Sequence, residues 1–131
     1  MRLPSSEALG LPAGSAVAVP VPAGGMTLYR LLRGSTPRLE DFEPHWTRPQ
    51  AQLRRIPDLF RTSVSHWLEL DQAAKRSTTR VAYVARVELA PDPLIRVALT
   101  EHLGGRREAG HVDVWAYPRQ LLSVVAGVAR T

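Results

Sequence analysis

Hydrophobic and polar positions are distributed unevenly along this chain, and the texture changes at Met26. Residues 1–25 end in Ala-Val-Ala-Val-Pro-Val-Pro-Ala-Gly-Gly, small apolar residues broken by proline and glycine, with no aromatic side chain. Such a stretch offers little bulk to pack, and its prolines withhold backbone donors. It reads as a flexible tail, or as the product of a start codon assigned too far upstream, and a single folded domain is expected over 26–131. Leu28, Tyr29, Leu31 and Leu32 then form a compact apolar and aromatic run, closed by Gly34-Ser35-Thr36-Pro37, which predicts a first strand. Over 38–60, Pro44, Pro49 and Pro57 punctuate sparse apolar positions, which leaves one short helix at 51–55 inside ordered loop.

Trp67, Leu70 and Ala74 recur at helical spacing over 66–76, with Ser65 as a fitting N-cap and Lys75 and Arg76 at the negative end of the dipole. Alternation of Val81, Tyr83, Ala85, Val87 and Leu89 predicts a strand over 80–89. A second follows over 94–99, after Pro91-Asp92-Pro93. His111, Val112, Asp113, Val114 and Trp115 alternate as a further strand, with Val112 and Val114 on a core face and the other three on a polar and aromatic face. Pro118 opens a final helix through 125, since proline suits the first helical turn. The order predicts an α+β fold: an antiparallel or mixed sheet, open to being split, with two main helices packed at its side.

The chain's 131 residues suffice for one domain with its own core, and no apolar run approaches the ~18–20 residues that cross a bilayer, so no membrane is expected as partner. Residues 1–25 lack the unbroken apolar stretch of a signal peptide, because Glu7 and the prolines at 12, 20 and 22 interrupt it. There is no cysteine, which excludes disulfides, thiolate metal sites and cysteine nucleophiles and fits a cytoplasmic location. A net charge of +5 raises nucleic acid as a partner. Against that, the basic residues are scattered and nearly all arginine, Lys75 being the sole lysine, as GC-rich coding produces. A solvated, mildly basic surface accounts for them equally.

No phosphate loop, His-Glu-x-x-His or nucleophile-elbow motif is present, and the histidines at 45, 66, 102 and 111 are too widely spaced for a local metal pair. The segment order carries more. Tyr29-Arg30 on a first strand, then Thr62-Ser63-Val64-Ser65 leading toward Ala73-Ala74, then a run of strands, resembles the split-sheet core of ADP-ribosyltransferase-like proteins over roughly 28–116.

The resemblance implies a protein that binds NAD or transfers ADP-ribose, of the kind found as small bacterial toxin-like effectors. It implies Arg30 on the dinucleotide phosphates, Ser63 and Ser65 shaping the nicotinamide pocket, His66 beside it, and His111 entering from a later strand. An arginine fork does pair well with pyrophosphate. Such transferases carry a glutamate on a late strand to stabilise the cationic ribose. Here Asp113 is the acidic residue on that strand, and Glu101, the nearest glutamate, falls at a strand end or loop. The catalytic candidates are His66, His111 and Glu101; if neither carboxylate reaches the pocket, the fold can hold without transfer activity, and Arg30, His66 and His111 remain as basic candidates. Plainer readings stand beside these: Arg30 facing water or pairing with Asp41, the serines as strand-end and capping residues, His111 as an exposed strand residue. The alternative function is a non-catalytic interaction module, of antitoxin, immunity or phage accessory type, with Trp46, Trp67 or Trp115 anchoring a protein partner.

Overall fold

The computed structural model describes residues 18–44, 63–100 and 109–131. It is an α+β fold dominated by one open sheet. Seven strands are described: β1 (Val19–Pro20), β2 (Met26–Leu32), β3 (Val64–Trp67), β4 (Tyr83–Leu89), β5 (Arg96–Leu99), β6 (His111–Trp115) and β7 (Val125–Arg130). They lie in the order β1-β5-β6-β3-β2-β4-β7, and every pairing is antiparallel. Two short helices, α1 (Leu70–Ala74) and α2 (Pro118–Ser123), and a 3-10 turn (Leu39–Phe42) complete the described part.

The pairing of β2 with β4 is the backbone of the sheet, running in register from Met26 opposite Leu89 to Leu32 opposite Tyr83. Alternation then sorts side chains between two faces. One face carries Leu28, Leu32, Val64, Ala85, Val87, Val97, Val112 and Val114, all buried, with Leu121 of α2 and Phe42 of the 3-10 turn packed into the same cluster. The opposite face carries a smaller cluster, Trp67, Ala73 and Val84 with Tyr29 and Leu31 against it, where α1 lies on the sheet. Both helices start the same way: the glutamine of the first turn accepts the N-cap backbone N–H, Gln72 from Glu69 at 3.2 Å and Gln120 from Tyr117 at 2.9 Å.

Four expectations are revised. The helix expected over 66–76 is confined to Leu70–Ala74, because 64–67 is strand β3, paired with β6 from Val64↔Val114 to Trp67↔His111. Ser65 is therefore a mid-strand residue, and Glu69 is the N-cap. The last helix stops at Ser123, and the chain continues as β7, which pairs with β4 through a bulge at Arg86/Val87. The last eight residues of the expected tail, 18–25, belong to the fold: Val19 and Pro20 pair with Val97 and Arg96, while Ala18 and Val21 are buried. Proline suits this place because an edge strand needs donors on one side alone. The short helix expected at 51–55 lies outside the described residues.

The sheet parts at one seam. Among the described residues β2 and β3 are paired at one position, Tyr29 with Trp67. No second pair joins them among the described residues; instead the Arg30 side chain links β2 to β3, its Nη1 donating to the Ser65 carbonyl at 2.7 Å, while its Nε donates to the Asp41 carbonyl of the 3-10 turn at 2.5 Å. The sheet is thus continuous but parted, with a side chain standing where a ladder bond would otherwise lie.

Candidate functional site

The seam opens into a cleft of about 260 Å³ lined by Arg30, Leu31, Glu43, Ser63, Val64, Ser65, Trp67 and Val81. Three of the four residues that the sequence set apart on β2 and β3 meet here: Arg30, Ser63 and Ser65. Arg30 does not pair with the Asp41 carboxylate. It donates to that residue's backbone carbonyl, and the carboxylate instead accepts the Arg38 backbone N–H at 2.8 Å. Two carbonyl acceptors hold the guanidinium beside the cleft. Its carbon lies 6.0 Å from the Phe42 ring centroid.

Behind the cleft, on the face that Ser63, Ser65 and Trp67 share, the sheet carries a line of polar side chains. Ser63 Oγ donates to Asp113 Oδ1 at 2.7 Å, and Thr100 Oγ1 donates to Asp113 Oδ2 at 2.6 Å. Thr100 also hydrogen-bonds His111 Nδ1, and His111 Nε2 hydrogen-bonds Ser65 Oγ. Ser63, Thr100 and Asp113 are each at most 4 % exposed, so this is a buried polar network, whose members must satisfy one another. The Trp67 ring meets the His111 ring edge to face, centroids 4.8 Å apart, and so fixes the imidazole plane.

His66, the fourth, faces the other way. Its position opposite Val112 puts it on the apolar face, fully buried, and it is absent from the cleft lining. Its Nδ1–H donates to the Val64 carbonyl at 3.0 Å, while Nε2 has no hydrogen-bond partner among the described residues. Burial, and then the nearby Arg30 charge, hold its pKa at about 3 against a usual 6.5. His66 is therefore neutral at physiological pH. Glu101 lies outside the described residues, as do His45, Trp46 and His102. Asp113, the acidic residue of the late strand, is committed to the Ser63 and Thr100 hydroxyls. Glu43 is the acidic residue on the cleft wall.

Sequence reading missed Thr100 and Glu43. Thr100 follows a four-residue strand, and nothing in the local pattern ties it to Asp113, 13 positions later. The alternation of His111, Asp113 and Trp115 against Val112 and Val114 was the available signal, and it identifies the polar face correctly. Its aromatic members are enclosed, however, with Trp67 and Trp115 exposed by 7 % and 8 %. Among the described residues there is no cluster of three or more metal-ligating side chains and no helix long and apolar enough to cross a membrane. No protein-family model matches the chain, and no curated protein or solved structure matches it either.

Proposed function

We propose that the seam cleft binds NAD and that the protein acts as an ADP-ribosyltransferase-like domain of a small effector. The observation that carries this is convergence: Arg30, Ser63 and Ser65, up to 35 positions apart in the chain, line one cleft, the residue types and places that such a ligand calls for. A volume of about 260 Å³ falls below the ~300–1,000 Å³ typical of ligand pockets, so the cleft would take the nicotinamide and its ribose, with the remaining nucleotide outside. The backbone at the parted edge would offer an amide ring polar partners, with Ser63 and Ser65 shaping the wall, and the Arg30 charge favours the pyrophosphate. Among the described residues, Glu43 is the carboxylate on the wall that would face a cationic ribose.

Of the three tryptophans on which the interaction-module reading rests, the two described, Trp67 and Trp115, are enclosed and offer no projecting anchor, and Trp46 lies outside the described residues. Thermal unfolding of the full chain with and without ~1 mM NAD separates the two. A dissociation constant near ~0.1 mM would add about 1.4 kcal/mol, a rise of several degrees in Tm. Arg30→Lys keeps the charge but loses the planar fork, and Ser65→Ala removes a wall hydroxyl; each is expected to reduce the shift. A folded sample with no shift in NAD contradicts the proposal. Parallel runs with nicotinamide and with ADP-ribose show which end of the ligand the cleft holds.

A further inference from the structure

The hydrogen bonds behind the cleft fit one directional scheme. The two Asp113 carboxyl oxygens accept from hydroxyls, Oδ1 from Ser63 and Oδ2 from Thr100. Thr100 then has no proton left for its other neighbour, and its oxygen accepts from His111 Nδ1–H. A neutral imidazole protonated on Nδ1 presents a bare Nε2, and that nitrogen is the one in contact with Ser65 Oγ. The carboxylate thus fixes the histidine tautomer through an intervening threonine, and the histidine is left as an acceptor aimed at a serine that lines an open cleft. The Arg30 guanidinium, bonded to the carbonyl of that same serine, supplies positive charge beside it.

From this geometry we infer that Ser65 is a nucleophile activated by His111, and that the cleft hydrolyses small carboxylic esters. In the first step Ser65 Oγ bonds to the ester carbonyl carbon while its proton passes to His111 Nε2. The positive charge of Arg30 on the cleft wall favours the negative charge that develops on the carbonyl oxygen. The carbon–oxygen bond to the leaving alcohol breaks, the alcohol takes the proton from Nε2, and an acyl-serine remains. Water then attacks the acyl carbon, giving its proton to Nε2, and Ser65 recovers that proton as the carboxylic acid departs. Ser65 and His111 are the catalytic residues here, and Thr100 and Asp113 are positioning residues. The inference does not rest on the NAD reading, since it needs neither ribose nor pyrophosphate.

The test is reaction of the full chain with a fluorophosphonate probe, followed by intact mass and peptide mapping. One adduct on Ser65 is expected, absent from Ser65→Ala and formed about a hundredfold more slowly by His111→Gln, the usual scale of general-base assistance. Thr100→Val should also slow labelling and Thr100→Ser should restore it, a rescue that a purely packing role would not show. Circular dichroism of each variant establishes that it is folded. Because the chain has no cysteine, Ser65→Cys supplies a second reading in a single-thiol protein. Its alkylation by iodoacetamide should slow markedly when His111→Gln is added. Folded wild-type protein that forms no Ser65 adduct overturns the inference, as does labelling or alkylation indifferent to His111→Gln. An adduct without an NAD-induced shift in Tm would leave this inference standing and remove the dinucleotide reading, and the reverse result would do the opposite.

Discussion

His66 and His111 occupy neighbouring positions on paired strands and point to opposite faces, and their chemistry divides accordingly. His111 stands among hydroxyls and a carboxylate. His66 is enclosed by apolar side chains with the Arg30 charge near it, and its pKa lies at about 3. The sign of the consequence follows from linkage. Below pH 6.5 the unfolded chain takes a proton on this histidine, while the folded chain does not until about pH 3, so stability is full above that window and is lost as pH falls through it. The slope from this one group is about 1.4 kcal/mol per pH unit, or roughly 2–3 kcal/mol between pH 6 and pH 4. Urea unfolding across that range, compared with His66→Gln, measures it. The variant should lose most of that slope, and equal slopes would contradict the burial of a neutral His66.

The elements are held by features of unequal visibility. Strands β2, β4 and β6 were legible because bulky and β-branched residues alternate there with little interruption, and β6 was read to the residue. β3 was not. Trp67, Leu70 and Ala74 fit a helical period, but the first of them belongs to a strand whose pairing with β6 begins 44 positions away in sequence, from Trp67 to His111, and no local pattern encodes that partner. β7, Val-Ala-Gly-Val-Ala-Arg, has small side chains that suit a helix tail as well as a sheet edge, and its pairing with β4 decides the matter. The turn into β6 depends on a single glycine. Gly110 has φ of 81°, and a Cβ there would come within 2.1 Å of Gln72 Oε1, the atom that caps α1. Gly110→Ala is therefore expected to cost roughly 2 kcal/mol or more, from left-handed strain and a displaced cap together. An unchanged midpoint in urea would show that the turn relaxes without involving α1.

At the scale of the whole molecule, the organising feature is a sheet that parts between β2 and β3 and uses the gap. The fold class and the polar side of β6 could be read from alternation, and Arg30, Ser63 and Ser65 could be singled out by segment order. What could not be read is how they are joined, because the joining contacts span long separations: Arg30 to the Ser65 carbonyl over 35 positions and Ser63 to Asp113 over 50. The cleft lies at this parting and is lined from both strands. The most direct test of the central claim, that this cleft takes a nicotinamide dinucleotide, is a titration of the isotopically labelled full chain with NAD followed by two-dimensional amide NMR. Saturable shifts concentrated at Arg30, Leu31, Glu43, Ser63, Ser65 and Trp67 are the expected result. A well-dispersed spectrum that NAD leaves unmoved, or moves elsewhere on the sheet, would contradict it.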